Sequence, residues 1–111
     1  MNSKAPVAMI SQGMRDKTDE EILTVRNKAI RELNEMGYEV LNTFYSDYGK
    51  EKETMEQNNV VNEPLWYLAK SLSDMAKCDA VYFTKGFETY RGCVIEHIAA
   101  TRYGLKTIYE D

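Results

Sequence analysis

Apolar positions along the chain alternate between short unbroken runs and stripes at helical spacing. Residues 6–10 (PVAMI) form a run without alternation, as expected for a parallel strand covered on both faces. Thr18-Asp-Glu-Glu21 fits a capping box, in which the Thr18 hydroxyl and the Glu21 carboxylate each satisfy a free backbone N–H at a helix start. Ile22, Val25, Ala29, Ile30, Leu33 and Met36 then recur along one helix face, and Gly37 follows where a left-handed cap is wanted, so the spacing predicts a helix over 19–36. Residues 38–44 (YEVLNTF) read as a second strand. Residues 46–62 are polar with no convincing period; connections beyond roughly 12–15 residues are uncommon, and this one reads as a surface excursion or a substrate lid. Pro64, preceded by Asn62 or Glu63 as cap, opens a second helix with the stripe Leu65, Leu68, Ala69, Leu72, Met75 and Ala76, ending near Lys77. A third strand over 80–83 (AVYF), a loop over 84–91, a third helix over 92–103 closed by Gly104, and a short edge strand over 106–109 complete the pattern.

The order βαβαβαβ predicts an α/β protein: a three-layer sandwich with a four-stranded parallel sheet of order 2-1-3-4 and three helices, joined by right-handed crossovers. In such a sheet a ligand sits at the carboxyl ends of strands one and three, where the winding reverses. The 111 residues suit one domain, and 43% hydrophobic with 29% charged residues is ordinary globular composition. A net charge of −4 argues against gripping a nucleic acid polymer through its phosphates. No apolar run approaches the roughly 18 residues that cross a bilayer, so no membrane partner is expected. Cys78 and Cys93 lack metal-binding spacing and read as reduced thiols of a cytoplasmic protein, while His97, the one histidine, excludes a multi-histidine metal site. No glycine-rich nucleotide loop of the two common kinds is present.

The switch point selects two loops. Residues 11–17 (SQGMRDK) offer Ser11, Gln12, Gly13, Met14 and Arg15 at the mouth of a helix, where backbone N–H groups and the helix dipole favour an anion. Residues 84–93 (TKGFETYRGC) offer Gly86, Phe87, Arg91 and Gly92 before another helix start. On that third helix Glu96 lies three, four and seven residues before Ala99, Ala100 and Tyr103, which puts a carboxylate on a face of small and aromatic side chains. Burial raises a carboxyl pKa, whereas a helix N-terminus and a neighbouring Arg91 lower it, so the balance suits a nucleophile or a general acid/base. The plainer alternative is a buried glutamate that caps a backbone or pairs with Arg15 or Arg91. Ser71 and Asp74 share a polar stripe with Tyr67 on the second helix, where a solvated face is the default reading. Trp66, Tyr67, Phe87 and Tyr90 lie in or beside the mouth, and a flat ring there can stack on a base. His97 faces elsewhere, towards Thr101, and reads as surface or packing.

The motifs SQGMRDKTDEEI after the first strand, PLWYLAKSL, CDAVYF and above all RGCVIEHIAA before the last strand occur in one order along nearly the whole chain. In this the chain resembles the nucleoside 2-deoxyribosyltransferase-like proteins, especially their short bacterial and phage branch. The resemblance implies a flavodoxin-like fold, substrates with a 2-deoxyribosyl N-glycosidic bond, and Glu96 as the nucleophile on the anomeric carbon. It implies that loop one and the Arg91–Gly92 segment hold sugar hydroxyls or a 5′-phosphate, and that no metal or organic cofactor takes part. The family's substrate-holding aspartate, eight residues before the aspartate that opens the third strand, is Ser71 here, with Asp74 one turn away. The C-terminal segment through which subunits of the established transferases complete one another's sites is not found in these residues. The reading is therefore an N-glycosidase or deoxyribosyltransferase acting on a deoxynucleoside or its 5′-monophosphate, with hydrolysis favoured over transfer. The alternative is a non-catalytic nucleotide-binding module, such as a phage-type protein that sequesters a nucleotide-derived signal; a plain interaction domain is the third. An edge strand and eight tyrosines make a homo-oligomer the expectation.

Overall fold

A computed structural model describes residues 4–41 and 48–111. In chain order the elements are β1 (Val7–Ser11), α1 (Asp19–Glu35), β2 (Glu39–Val40), α2 (Tyr48–Gln57), α3 (Glu63–Met75), β3 (Ala80–Phe83), a 3₁₀ turn (Phe87–Thr89), α4 (Arg91–Arg102) and β4 (Lys106–Tyr109). The four strands form one parallel sheet of order β2-β1-β3-β4, the order expected from the apolar pattern and that of a flavodoxin-like sheet.

Strand parity sorts the core into two layers, because successive side chains leave a strand on opposite faces. Ala8 and Ile10 of β1, Ala80 and Tyr82 of β3 and Ile108 of β4 pack against Ala29 and Leu33 of α1. Met9 of β1 with Val81 and Phe83 of β3 face the other way, onto Met75 of α3 and Ala100 of α4. Ser11 has the parity of Met9, so β1 delivers its hydroxyl to the α3–α4 side at the carboxyl edge of the sheet. Asp79 fixes the opposite edge: its Oδ2 accepts the Val7 N–H at 2.8 Å while its own N–H donates to the Val7 carbonyl at 2.7 Å.

The capping box forms as the sequence implies, with the Glu21 N–H donating to Thr18 Oγ1 and the Thr18 N–H to Glu21 Oε1, both at 3.1 Å. At the other end Gly37 adopts φ 94°, which lets the Tyr38 N–H reach the Leu33 carbonyl at 2.9 Å and close α1. Thr18→Ala should cost about 1 kcal/mol, read as a lower midpoint in urea with an unchanged slope.

Besides the ends of α1, α3 and α4, which fall one or two residues before the expected 36, 77 and 103, four details depart from the sequence reading. There are four α-helices among the described residues rather than three, since α2 occupies 48–57 inside the stretch expected to lack structure. Its period is invisible because among residues 51–57 only Met55 is buried, and polar contacts tie it down instead: Glu51 accepts from Trp66 Nε1 at 3.2 Å and pairs with Lys70. β1 runs to Ser11 and not to Ile10, because Ser11 pairs with Phe83 and its carbonyl accepts the Thr84 N–H at 3.1 Å. Pro6 stays outside the strand, although its carbonyl accepts the Glu39 N–H at 2.8 Å. β2 is confined to Glu39–Val40 among the described residues; positions 42–44 of the expected strand lie outside them. Finally, α4 begins at Arg91, one residue before the expected start.

Candidate functional site

The β1 parity and the α4 spacing meet at one point. Ser11 Oγ donates to Glu96 Oε1 at 2.8 Å, and both residues are buried, with 1% and 7% of their surface exposed. Ser71, reaching across from α3, supplies a second hydroxyl contact to the same carboxylate. Cys93, one turn before Glu96 on α4, is also buried and in contact with Ser11. Three elements thus converge on a carboxyl group at the sheet's carboxyl edge.

Burial pushes the Glu96 carboxyl above the usual carboxylate range, and the Ser11 and Ser71 hydroxyls pull against that shift. Neither Arg15 nor Arg91 contributes, so the alternative of an arginine-paired structural glutamate is not what is found among the described residues. Burial likewise raises the Cys93 thiol, with the nearby Glu96 charge adding to it, so this thiol stays protonated at neutral pH. Ser11→Ala should raise the Glu96 pKa further and cost about 1.5–3 kcal/mol at pH values where the carboxylate is ionised, because it removes a donor to a buried charge. Denaturant melts at two pH values check this: the cost should shrink once Glu96 is protonated.

The remaining residues expected at the site divide among several places. Gln12, Gly13 and Gly86 line a separate cleft of about 620 Å³ against the start of α1, together with Lys17, Lys85 and Tyr90. Arg91 and Gly92 line a cavity of about 320 Å³ between the first turns of α3 and α4. Arg15 is exposed, its guanidinium 6.0 Å from the centre of the Tyr90 ring, and Met14 is exposed beside it. Phe87 does not present a free face for stacking: its ring lies among Phe83, His97 and Tyr109, with centroids 5.0–6.0 Å away. Asp74 is placed elsewhere, its carboxylate 3.7 Å from Lys77 Nζ near the end of α3. His97 is a packing residue, its ring edge-on to Phe83 and its Nε2 2.8 Å from the Tyr109 hydroxyl.

The mouth of α1 is also less suited to an anion than its position suggests. The capping box already engages the Glu21 N–H, and Asp19, Glu20 and Glu21 crowd the first turn with negative charge. The start of α4 is the reverse: it carries Arg91, no acidic residue in its first turn and no side-chain cap. No group of histidine, cysteine or carboxylate side chains that could hold a metal ion exists among the described residues. None of the described helices is long and apolar enough to cross a membrane.

One neighbour of Glu96, Cys93, escaped the sequence reading, although it lies three residues before Glu96 and so shares its face. Away from the site, Arg26 is 4% exposed on the buried stripe of α1 between Ile22 and Ala29, where burial depresses its pKa, and a pattern of apolar positions passes over it.

Comparison of the chain with protein-family models, with curated proteins and with solved structures gives no match.

Proposed function

We propose that this protein cleaves the N-glycosidic bond of a deoxynucleoside or deoxynucleoside 5′-monophosphate through Glu96. The observation that carries the reading is the buried Glu96 carboxyl, accepting a hydrogen bond from Ser11 Oγ at 2.8 Å where the sheet reverses its winding. The resemblance of SQGMRDK and RGCVIEH to the nucleoside 2-deoxyribosyltransferase-like proteins agrees with it.

In the proposed reaction a Glu96 carboxylate oxygen bonds to the anomeric carbon as the C–N bond breaks. The bonding pair leaves with the base nitrogen, which takes up a proton. Water then attacks the same carbon, loses a proton and frees the carboxylate, giving 2-deoxyribose in place of the ester. Ser11 and Ser71 orient the carboxylate without neutralising it, as a cation beside it would, so it keeps its basicity for attack. The uncapped start of α4, the helix that carries Glu96, holds Arg91 and is suited to a 5′-phosphate.

The test is incubation with the deoxynucleosides and their 5′-monophosphates, followed by chromatography for free base. Release from at least one substrate supports the reading. Tight stoichiometric binding without release favours a sequestering module, and neither binding nor release would falsify both.

A further inference from the structure

Met75 of α3 and Cys93, Glu96 and Ala100 of α4 are the buried positions of these helices and face the sheet. On the other side of the pair, Leu65, Ile95, Ile98 and Tyr103 are exposed, Tyr103 by 84%. Two cavities mark the ends of the groove between the helices. One of about 320 Å³ lies between the first turns, lined by Leu65, Leu68, Gly92 and Ile95 with Arg91 beside them. The other, of about 300 Å³, lies between the last turns, lined by Leu72, Ala76, Ala99 and Tyr103. The two helices therefore run side by side in one direction, and their outer face has a hole at one end and a projecting ring at the other. Gly92 keeps the hole open. It sits in the first turn of α4, where a Cβ would meet no atom within 4 Å, so no packing among the described residues needs a glycine there. Inside a helix glycine costs about 1 kcal/mol relative to alanine, and close approach by something from outside the chain accounts for its place.

We propose that this face joins two copies of the chain about a two-fold axis, with the Tyr103 ring of each copy seated in the first-turn cavity of the other. A two-fold axis across the middle of the face sets the helix pairs antiparallel and exchanges their ends, so that a hole and a projection on one surface become two equivalent contacts. The same rotation lays Leu65 of one copy over the last-turn cavity of the other, which fills both ends of the groove. Charge agrees with it. Glu63 in the first turn of α3 comes towards Arg102 in the last turn of α4 of the second copy, and Arg91 towards the last turn of α3, which has no basic residue. Size agrees as well. A 13-residue helix is about 20 Å long and two packed helices are about 20 Å wide, and side-chain relief brings such a face near the about 800 Å² that each partner gives to a standard interface. The inference does not rest on the reading of Glu96 and survives if that reading fails.

The test is sedimentation equilibrium at micromolar concentration, where the parent should show twice the mass of one chain. Tyr103→Ala removes the projection and Gly92→Phe fills the hole. Each should weaken association by at least about a hundredfold, because the lost contact is a seated aromatic ring that occurs twice per dimer. Both variants should keep the far-UV circular dichroism of the parent, since Tyr103 is exposed and the space beside Gly92 is open. A one-to-one mixture of the two should associate at least about tenfold more tightly than either alone. In the mixed dimer Tyr103 of the Gly92→Phe copy enters the open cavity of the Tyr103→Ala copy, while the filled cavity meets the truncated side chain. A merely destabilising role for either residue would give no such recovery. A monomeric parent, including one that instead pellets with anionic phospholipid vesicles, would overturn the proposal. So would a dimer that both variants leave intact, or a mixture that associates no better than its components.

Discussion

Glu96→Gln should abolish base release, by at least about a thousandfold, while leaving the fold more stable than the parent at neutral pH. Glutamine matches the shape of glutamate and can still accept from Ser11, so the site keeps its packing; what it lacks is a carboxylate to form the ester. The opposite signs of the two effects make the result diagnostic. A purely structural glutamate would lose stability on replacement, and one uninvolved in chemistry would leave the rate intact. The stability gain follows from linkage. Burial holds the Glu96 carboxyl pKa above its value in the unfolded chain. Between those two values the folded protein binds more protons than the unfolded one, so parental stability falls as pH rises through that window and is level above it. Glu96→Gln lacks this slope. Base release in the parent should run the other way, being lost as pH falls through the raised Glu96 pKa, because the attacking form is ionised. Urea melts and initial rates over one pH series read both curves.

Gly13→Ala should destabilise the protein by about 3 kcal/mol, the upper end of what overpacking costs. The new Cβ would stand 2.2 Å from two carbons of the Tyr90 ring, and the obstacle is an aromatic body, not the far end of a flexible chain. Tyr90 cannot easily retreat. Its carbonyl accepts the Val94 N–H at 3.0 Å at the start of α4, and its own N–H donates to the Phe87 carbonyl at 3.0 Å. The strain therefore passes into the helix that carries Glu96. Removing the ring removes the conflict, so Gly13→Ala made in a Tyr90→Ala background should cost much less than in the parent. A double-mutant cycle by denaturant unfolding measures that coupling. Additive effects would show that the two residues do not meet.

The parts of this protein that follow from apolar periodicity were legible in the sequence. β3 and β4 have the expected bounds, α1 begins at the capped Thr18, and the strand order follows from parallel right-handed crossovers. α2 was not legible, because polar contacts from Glu51 to Trp66 and Lys70 hold it where a stripe of apolar residues would ordinarily show. At the candidate site the meeting of Ser11 with Glu96 was not legible, because the apolar run ends at Ile10 and left Ser11 in a loop; only the pairing of Ser11 with Phe83 extends β1 and gives Ser11 the parity that aims its hydroxyl at α4. The scatter of the other loop residues did not follow, because loops carry no period. Gln12 and Ser11 are neighbours in the chain yet serve opposite sides of the sheet edge. Phe87 looked like a stacking face until its ring was found packed against Phe83, His97 and Tyr109, a cluster that forms only where the loop after β3 folds back beside α4 and β4. Asp74 and Ser71 share a helix, but only Ser71 reaches the carboxylate, because they are three residues apart and Asp74 ends beside Lys77.

The proposed covalent bond between Glu96 and the anomeric carbon sets the stereochemistry of the product, which therefore reports on that bond directly. Turnover of a β-deoxynucleoside in aqueous methanol, followed by proton NMR, identifies the configuration of the methyl 2-deoxyriboside formed. Two successive displacements at one carbon, the first by Glu96, predict the β product. The α product would mean that the acceptor attacked the substrate itself, and would contradict a Glu96 nucleophile.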